Sequence, residues 1–253
     1  MVEVGRRLYA RRLIGGNEGN ISVRDGSVLY VTPAAVCKGF LAPECIVRTD
    51  LEGRPLDGGR ASTEVLMHTA VYRRRSDVGA VVHAHPPTAT GFAVAGIPLD
   101  RPLTAEAVVT LGVVPVIPYG TPSTSELADN VGRAENVGRA ICETQTILLA
   151  NHGALSVGVD LYQAWERMET LEQVARVALV ARLLGREGHL PAADVERLAA
   201  MREPAGYPPP VCAPEPRPSP TLAAGAEGGP ARFSLSREEL VRLLAEAIER
   251  FRT

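Results

Sequence analysis

The 253-residue chain is short of cysteine, and its four cysteines show no pairing pattern. They are scattered without a C-x-x-C spacing, so we expect reduced thiols rather than a disulfide framework. These residues are Cys37, Cys45, Cys142 and Cys212. An excess of charge of one sign is also lacking, because 27 Lys and Arg against 29 Asp and Glu leave a formal net charge of −2. This balance argues against nucleic acid and membrane surfaces as partners.

Long apolar runs are missing as well. No run is long enough to span a bilayer, and residues 1–7 contain no apolar stretch of the signal-peptide kind. The hydrophobic content is nevertheless 45%, so a chain of this length can bury one substantial core and one appendage. The composition therefore agrees with a cytoplasmic enzyme and adds little more.

The chain does contain a pair of histidines at the end of an apolar run, Val81-Val82-His83-Ala84-His85, with two prolines directly after it. Alternate side chains of a strand share one face, so His83 and His85 are expected to project together. The prolines end the strand because proline cannot donate to the sheet ladder. The pattern predicts two metal ligands at a strand end, although two hydrogen-bonded imidazoles on a half-buried face would give the same spacing.

A third histidine favours the metal interpretation. His152 follows another short apolar run, residues 146–150, and so also lies at a predicted strand end. Glu64, in a predicted helix capped by Ser62, offers a carboxylate. Three imidazoles and one carboxylate suit zinc best, and manganese, iron or cobalt would also be accepted. His68, one turn after Glu64, is a rival ligand, but we interpret it as a packing histidine or a support for the ligands.

Five segments resemble the class II aldolase/adducin family, which includes L-fuculose-phosphate aldolase and L-ribulose-phosphate 4-epimerase. They occur in the family's order over roughly residues 1–200. The segments are Gly19-Asn20-Ile21-Ser22-Val23-Arg24, Val31-Thr32-Pro33, Ser62-Thr63-Glu64, His83-Ala84-His85 and Asn151-His152-Gly153. The resemblance implies an α/β fold, with a three-layer α/β/α catalytic domain built on a central mixed β-sheet over residues 1–202.

The same resemblance implies a site and an activity. Zinc would be held by His83, His85 and His152, with Glu64 as a further ligand or as the acid/base. The protein would be a homotetramer with active sites between subunits. It would act as a class II aldehyde-lyase on a small phosphorylated sugar, cleaving a ketose such as L-fuculose 1-phosphate to dihydroxyacetone phosphate and an aldehyde.

The substrate phosphate is expected at the start of the helix that carries the glutamate. Free N–H groups and the hydroxyls of Ser62 and Thr63 make an anion site there, unless both residues only cap the helix. By resemblance, Asn20 is a further phosphate contact. The family's usual Thr-Pro-Ser/Thr-Gly is here Thr-Pro-Ala-Ala, so a hydroxyl is lost at Ala34, and the N–H of Ala35 could bind if φ is negative. We still expect a phosphorylated substrate rather than a carboxylate or a neutral sugar acid.

A second departure from the family concerns proton transfer. Aldolases of the family use a tyrosine from the neighbouring subunit, in the stretch that corresponds to residues 102–109, and no tyrosine is present there. Glu106 is the candidate replacement, although acidic loop residues are mostly only solvated, and Tyr119 lies just beyond.

Aldol cleavage is the first hypothesis, followed by epimerisation, dehydration or decarboxylation on the same metal. The alternative is a non-catalytic adducin-like binding module, against which the retained histidines argue.

Local signals predict the remaining elements. We expect a helix before Gly15 and, after Ile97, short strands joined by loops. A capping box at residues 123–126 predicts one helix, and Asp160 predicts a long one that ends near Gly185.

The C-terminal region has a different composition. Residues 203–232 are rich in Pro, Gly and Ala, which predicts a flexible linker, and residues 233–253 form a predicted amphipathic helix. A helix this short needs a partner for its apolar face. That partner would be the protein's own core, a neighbouring subunit or, by resemblance to encapsulation peptides, a shell protein of a bacterial microcompartment.

Overall fold

The structure is a computed structural model and describes residues 1–119 and 139–212. Its helices are α1 (Val2–Ala10), α2 (Val65–Arg74), α3 (Pro87–Val94), α4 (Arg139–Glu143), α5 (Leu161–Leu183) and α6 (Ala192–Ala200), with 3-10 turns at Lys38–Phe40 and Pro43–Cys45 and a π-helical turn at Ala107–Leu111. Its strands are β1 (Asn20–Asp25), β2 (Val28–Val31), β3 (Val47–Thr49), β4 (Ala80–Ala84), β5 (Val116–Ile117), β6 (Thr146–Leu149) and β7 (Gly153–Gly158).

The seven strands form one mixed sheet in the order β3-β2-β1-β4-β7-β6-β5. Only the β5–β6 pair is parallel, and the other neighbours run antiparallel. The register places Asn20 of β1 opposite His83 of β4, and Ala84 opposite Ala154 of β7. Strand β4 is thus central, and residues at its end have neighbours from two other strands.

Helices cover both faces of the sheet. Strand β4 alternates its side chains, so Val82 joins an apolar cluster with Met168 of α5, while Val81 joins a second cluster with Val71 of α2. His83 has the parity of Val81 and therefore faces the α2 side. This arrangement confirms the predicted three-layer α/β/α domain with a mixed sheet.

Three predicted helices are present, α1, α2 and α5, with one corrected boundary. Asp160 caps α5 through its Oδ1, which accepts a hydrogen bond from the Gln163 N–H at 2.8 Å. Helix α2, in contrast, begins at Val65, so Ser62 is not its N-cap. The reason is a turn closed by the Val65 N–H on the Ser62 carbonyl at 3.1 Å, which holds Ser62 outside the helix.

The strands expected after residue 97 are mostly absent from the described part of the chain. The apolar stretch Ala107–Leu111 is a π-helical turn, because the Thr104 hydroxyl and carbonyl accept the first N–H groups and Gly112 ends the turn at φ 71°. Only the two-residue strand β5 follows. The helix predicted from the capping box at residues 123–126 begins outside the described residues.

The cysteine prediction was wrong for one pair. Cys142 and Cys212 form a disulfide with their Cα atoms 5.3 Å apart, whereas the other two cysteines are free. The two are 70 residues apart in sequence and have no motif spacing. They meet because the buried Arg75 pairs with Cys212 in a β-bridge and donates to the carbonyl of Ile141 at 2.8 Å.

The domain extends beyond the predicted boundary at residue 202. The carbonyl of Pro208 accepts a hydrogen bond from the Gln145 side chain at 3.2 Å, and Cys212 is bonded to the domain. The predicted linker therefore differs from the structure over residues 203–212. The rest of it and the predicted helix at 233–253 lie outside the described residues. In the part that is described, no helix combines the length and apolar character needed to cross a membrane.

Candidate metal centre

Two neighbouring strands bring the three predicted histidines together. His83 lies near the end of β4, and His85 follows the strand, where its N–H donates to the Leu13 carbonyl at 3.0 Å. His152 lies in the tight turn between β6 and β7, which Asn151 makes possible with φ 53°. Because β7 pairs with β4, the turn places His152 beside the other two imidazoles.

The imidazole nitrogens converge on one point. One ring nitrogen from each of the three histidines lies within 4.8 Å of the others, and His83 Nε2 and His85 Nε2 are 3.1 Å apart. His83 Nδ1 lies 2.9 Å from the Ala154 carbonyl oxygen, which only accepts hydrogen bonds. Nδ1 therefore carries the proton, and the Nε2 lone pair faces the other ligands.

Glu64 completes the cluster from the α2 side. Its Oε1 is 3.1 Å from His152 Nε2, and its Oε2 is 3.4 Å from His83 Nε2. The Asn20 amide donates to Oε2 at 2.7 Å and fixes the carboxylate. Asn20 can reach it because the sheet register sets it opposite His83.

Burial sets the charge of these groups. It lowers the pKa of His83 to about 3, so this imidazole is neutral near pH 7, and it also lowers the pKa of His85. Burial alone would raise the pKa of Glu64, but its contacts with His152 and with the Asn20 amide hold that pKa below its usual range. The cluster thus combines the neutral His83 imidazole with an anionic carboxylate.

This donor set fits a divalent cation. The His83 lone pair lies close to another imidazole nitrogen and to a carboxylate oxygen, and such groups repel unless a cation or a proton lies between them. Three nitrogens and one oxygen are also a set that zinc prefers.

His68 lies beside the cluster but outside the ligand set. It is fully buried, and its Nδ1 is 2.6 Å from the Ser22 hydroxyl, which is also 2.8 Å from the Tyr72 hydroxyl. This network agrees with the interpretation of His68 as a packing and supporting residue.

A cavity of about 460 Å³ opens beside His83, His85, His152 and Glu64, the group of residues called the metal cluster below. It collects most of the residues that the sequence assigned to the site, namely Asn20, Ala35, Ser62, Thr63, Glu64, His85 and His152. It also contains Lys38 and Arg60, which the sequence reading missed. One signal could have revealed Lys38, because it is the only lysine in the chain.

The structure describes the surroundings of the predicted phosphate contacts. Ala35 has φ 56°, so the condition of a negative φ is not met, and an L-residue there stores about 1 kcal/mol of strain. The Ala34 N–H is already used, because it donates to the Arg60 carbonyl at 2.9 Å. The Asn20 amide is engaged by Glu64 rather than directed into open space. Ser62 and Thr63 keep their place in the cavity wall, just before α2.

Glu106 lies elsewhere in the subunit. It lines a second cavity, together with Arg11, Glu169 and Glu172, and the two cavities share no lining residue. Tyr119 is about half exposed and lines neither cavity. Within this chain, the described structure therefore does not bring a proton donor from the stretch 102–109 to the metal cluster.

The three-layer fold carries a cluster of three histidines that could hold a metal ion. Residues 1–179 match the model of the Class II Aldolase and Adducin N-terminal domain. The chain therefore belongs to the class II aldolase and adducin family, as its motifs predict.

Similar proteins of known activity and of known structure agree with this family membership. An L-fuculose phosphate aldolase of Methanococcus maripaludis is 34% identical over 179 residues, which are 70% of this chain and 92% of that protein. A 3-oxo-tetronate 4-phosphate decarboxylase of Haemophilus influenzae is 34% identical over 186 residues, which are 70% of this chain and 84% of that protein. A solved L-fuculose 1-phosphate aldolase superposes with a TM-score of 0.73 at 30% identity, covering 80% of this chain and 93% of that one. The protein is a lyase-type enzyme of a divalent-metal-dependent class.

Proposed function

We propose that the protein is a class II aldehyde-lyase that cleaves a phosphorylated ketose, of the L-fuculose 1-phosphate kind, to dihydroxyacetone phosphate and an aldehyde. The observation that carries the proposal is the convergence of three imidazoles on Glu64 beside a polar cavity of substrate size. The similarity to L-fuculose phosphate aldolases supports the substrate class.

His83, His85 and His152 would hold the metal, with Glu64 as a further ligand. Zinc is the metal we propose first, and manganese, iron and cobalt are accepted by the same ligands. When bound, the ion would act as a Lewis acid that stabilises the negative charge left beside the ketone as the carbon–carbon bond breaks. The Ala154 carbonyl keeps His83 in the tautomer that presents Nε2 to the site.

Glu64 is the proposed acid/base at the bond that breaks. It is mostly buried, which strengthens its electrostatic interactions with a substrate, and the Asn20 amide orients its Oε2. Its Oε1 lies 3.1 Å from His152 Nε2, on the side of the proposed ligands, where this oxygen would accept a proton from a substrate hydroxyl or return one to carbon.

The second proton-transfer group would come from a neighbouring subunit. Glu106 lies in a separate cavity of its own subunit, so we propose that it acts in the site of the adjacent subunit of a homotetramer. It would then stand where aldolases of the family place a tyrosine.

Decarboxylation is the second candidate function. The substrate named for these decarboxylases, 3-oxo-tetronate 4-phosphate, resembles a 2-ketose 1-phosphate. Both contain a phosphorylated carbon, then a ketone, then a hydroxylated carbon, and the carbon–carbon bond that breaks follows this hydroxylated carbon. Aldol cleavage must also remove a proton from the hydroxyl of the leaving aldehyde, whereas carbon dioxide leaves without one. The missing tyrosine and the similarity to decarboxylases therefore favour this alternative.

Analysis of the reaction products distinguishes aldol cleavage from decarboxylation. The metal-loaded protein would be incubated with phosphorylated ketoses and, separately, with 3-oxo-tetronate 4-phosphate, while dihydroxyacetone phosphate and carbon dioxide are measured. We expect dihydroxyacetone phosphate from a ketose phosphate, and none after chelation of the metal. Carbon dioxide from the sugar acid, without ketose cleavage, would replace the first proposal by the second. Turnover of neither substrate class would contradict both.

The tail is proposed to act in docking rather than in catalysis. The predicted helix at 233–253 lies outside the described residues, so its partner, including a microcompartment shell protein, remains a prediction. Because Pro208 and Cys212 contact the domain, the test is a deletion of residues 214–253. Metal content and turnover should stay near wild type. A fused tail should bind a shell protein, and replacing Leu244 and Ile248 by Glu should abolish that binding. Collapse of turnover or of the oligomer on deletion would contradict the docking role.

A further inference from the structure

The only lysine of the chain lies in the cavity beside the metal cluster. Lys38 is one of 27 Lys and Arg residues, and it begins the 3-10 turn Lys38–Phe40. Its backbone is held by α1, because a Cβ at Gly5 would come within 2.3 Å of the Lys38 carbonyl oxygen, so only glycine allows this close packing. The position of Lys38 in the cavity wall is therefore fixed by the fold.

The ammonium of Lys38 is buried, and no carboxylate of the described residues is in contact with it. The residue is only 2% exposed, and its Nζ donates to the Asn17 carbonyl at 2.8 Å. Among the described residues no carboxylate lies within 4 Å of Nζ, and no second hydrogen-bond acceptor is present. A buried ammonium of this kind is costly unless an anion pairs with it, and two of its three N–H groups remain for such an anion.

The neighbours of Lys38 indicate where the anion would bind. Ala35, Ser62 and Thr63 line the same cavity, and Arg60 lies at its exposed side. Lys38 lines this cavity together with Glu64 and His85, and its charge acts on both. An anion held by Lys38 could thus belong to a substrate that reaches the histidines.

The Lys38 ammonium also offers a hydrogen-bond donor in place of the hydroxyl that is missing at Ala34. Where the family has a Ser or Thr hydroxyl, this chain has Ala34, whose N–H is already bonded to the Arg60 carbonyl. The loop therefore offers fewer neutral donors to a phosphate. A lysine three to four residues further along the chain offers a charged donor instead, and lysine ammonium groups are common phosphate ligands.

We propose that Lys38 is the charged anchor for the substrate phosphate, and that it sets the preference of the site for phosphorylated substrates. This inference rests on the proposed lyase function for its substrate, but binding of inorganic phosphate tests it without turnover. An anchoring role predicts a change in binding with little change in the chemical step.

The single lysine allows a direct measurement of binding. Protein labelled with ε-¹³C lysine has one labelled side chain, Lys38, and the metal-loaded protein would be titrated with inorganic phosphate at constant ionic strength. We expect a saturable shift of the Lys38 signal, and no shift with chloride. A signal that does not respond, at phosphate concentrations that inhibit turnover or protect against thermal unfolding, would overturn the proposal.

Kinetics provide a second test. Lys38→Met should raise KM for a phosphorylated substrate by roughly 10- to 100-fold, the usual effect of losing a charge-assisted hydrogen bond, with kcat nearly unchanged. Lys38→Arg should recover part of this loss, and the exposed Arg186→Met is the control for removing one positive charge. A fall in kcat with KM and phosphate inhibition unchanged would overturn the proposal in favour of a proton-transfer role.

Folding is checked by thermal unfolding of the same variants. Because Lys38→Met removes a buried unpaired charge, the variant should unfold at the wild-type temperature or above. Phosphate should raise the unfolding temperature of the wild type and not that of Lys38→Met. Equal stabilisation of both proteins by phosphate would contradict an anchor at Lys38.

Discussion

Two clefts in the described part of the chain have the same volume, about 460 Å³ each, and both are lined by ionisable side chains. They differ in whether those side chains already have partners. In the second cavity the buried Glu172 accepts hydrogen bonds from the N–H groups of Thr88 and Ala89, both at 3.0 Å, and from Arg176 at 2.8 Å. Its charge is neutralised by the start of α3 and by a guanidinium group.

The cavity beside the metal cluster shows the opposite pattern. Glu64 has imidazoles as neighbours but no Lys or Arg within 4 Å among the described residues, and Lys38 has no carboxylate. Cavity size therefore does not identify the site. Buried charges that lack partners identify it, because each of them costs free energy until a ligand arrives.

The largest effect on activity is expected from neutralising Glu64. Glu64→Gln keeps the shape of the side chain and removes the charge, so we expect turnover to fall by about 10²-fold or more, the usual scale for a general acid/base. KM should change less. Steady-state kinetics with metal analysis checks this, and Glu44→Gln at an exposed position is the control. Turnover of Glu64→Gln close to that of the control would exclude the proposed acid/base role.

The second cavity can be tested through Glu106. If this carboxylate acts in the site of a neighbouring subunit, Glu106→Gln should lower kcat by roughly 10-fold. This effect is smaller than the usual contribution of general acid–base catalysis, which is about 10²-fold or more. Glu169→Gln, in the same cavity but paired with Arg11 at 3.4 Å, should leave kcat near wild type. Equal activity of both variants and wild type would remove Glu106 from the mechanism and leave the second cavity without a catalytic role.

The smallest expected effects separate Asn20 from Ser62. Because the Asn20 amide holds Glu64, Asn20→Ala should act mainly on kcat, whereas Ser62→Ala should raise KM for a phosphorylated substrate by about 5-fold, the effect of losing one neutral hydrogen bond. The exposed Ser76→Ala serves as the control. A KM that does not respond to Ser62→Ala would place the phosphate elsewhere in the cavity.

The sequence predicted those parts of the site that depend on local periodicity. The alternation of His83 and His85 follows from the strand, and the apolar runs around His152 predicted a second strand end correctly. These features are local, because a strand fixes the side on which each residue lies. The mixed sheet and its layers came from the family resemblance, which the match over residues 1–179 confirms.

What the sequence could not predict depends on tertiary contacts. The link between Cys142 and Cys212 requires two segments 70 residues apart to meet on a buried arginine. The engagement of Asn20 by Glu64 depends on the register between β1 and β4, and the positive φ of Ala35 depends on its loop. Lys38 was missed for the same reason, since only the packing of α1 on its turn places it beside the metal cluster.

The central claim is that the three histidines form a metal site, and metal analysis of purified protein tests it most directly. We predict one divalent ion per chain in the wild type, and loss of the ion and of activity in His83→Ala, with folding retained. His189→Ala, which removes an exposed histidine outside the cluster, should keep the ion. A His83→Ala protein with full metal occupancy, or a wild type that binds no divalent metal, would contradict the account.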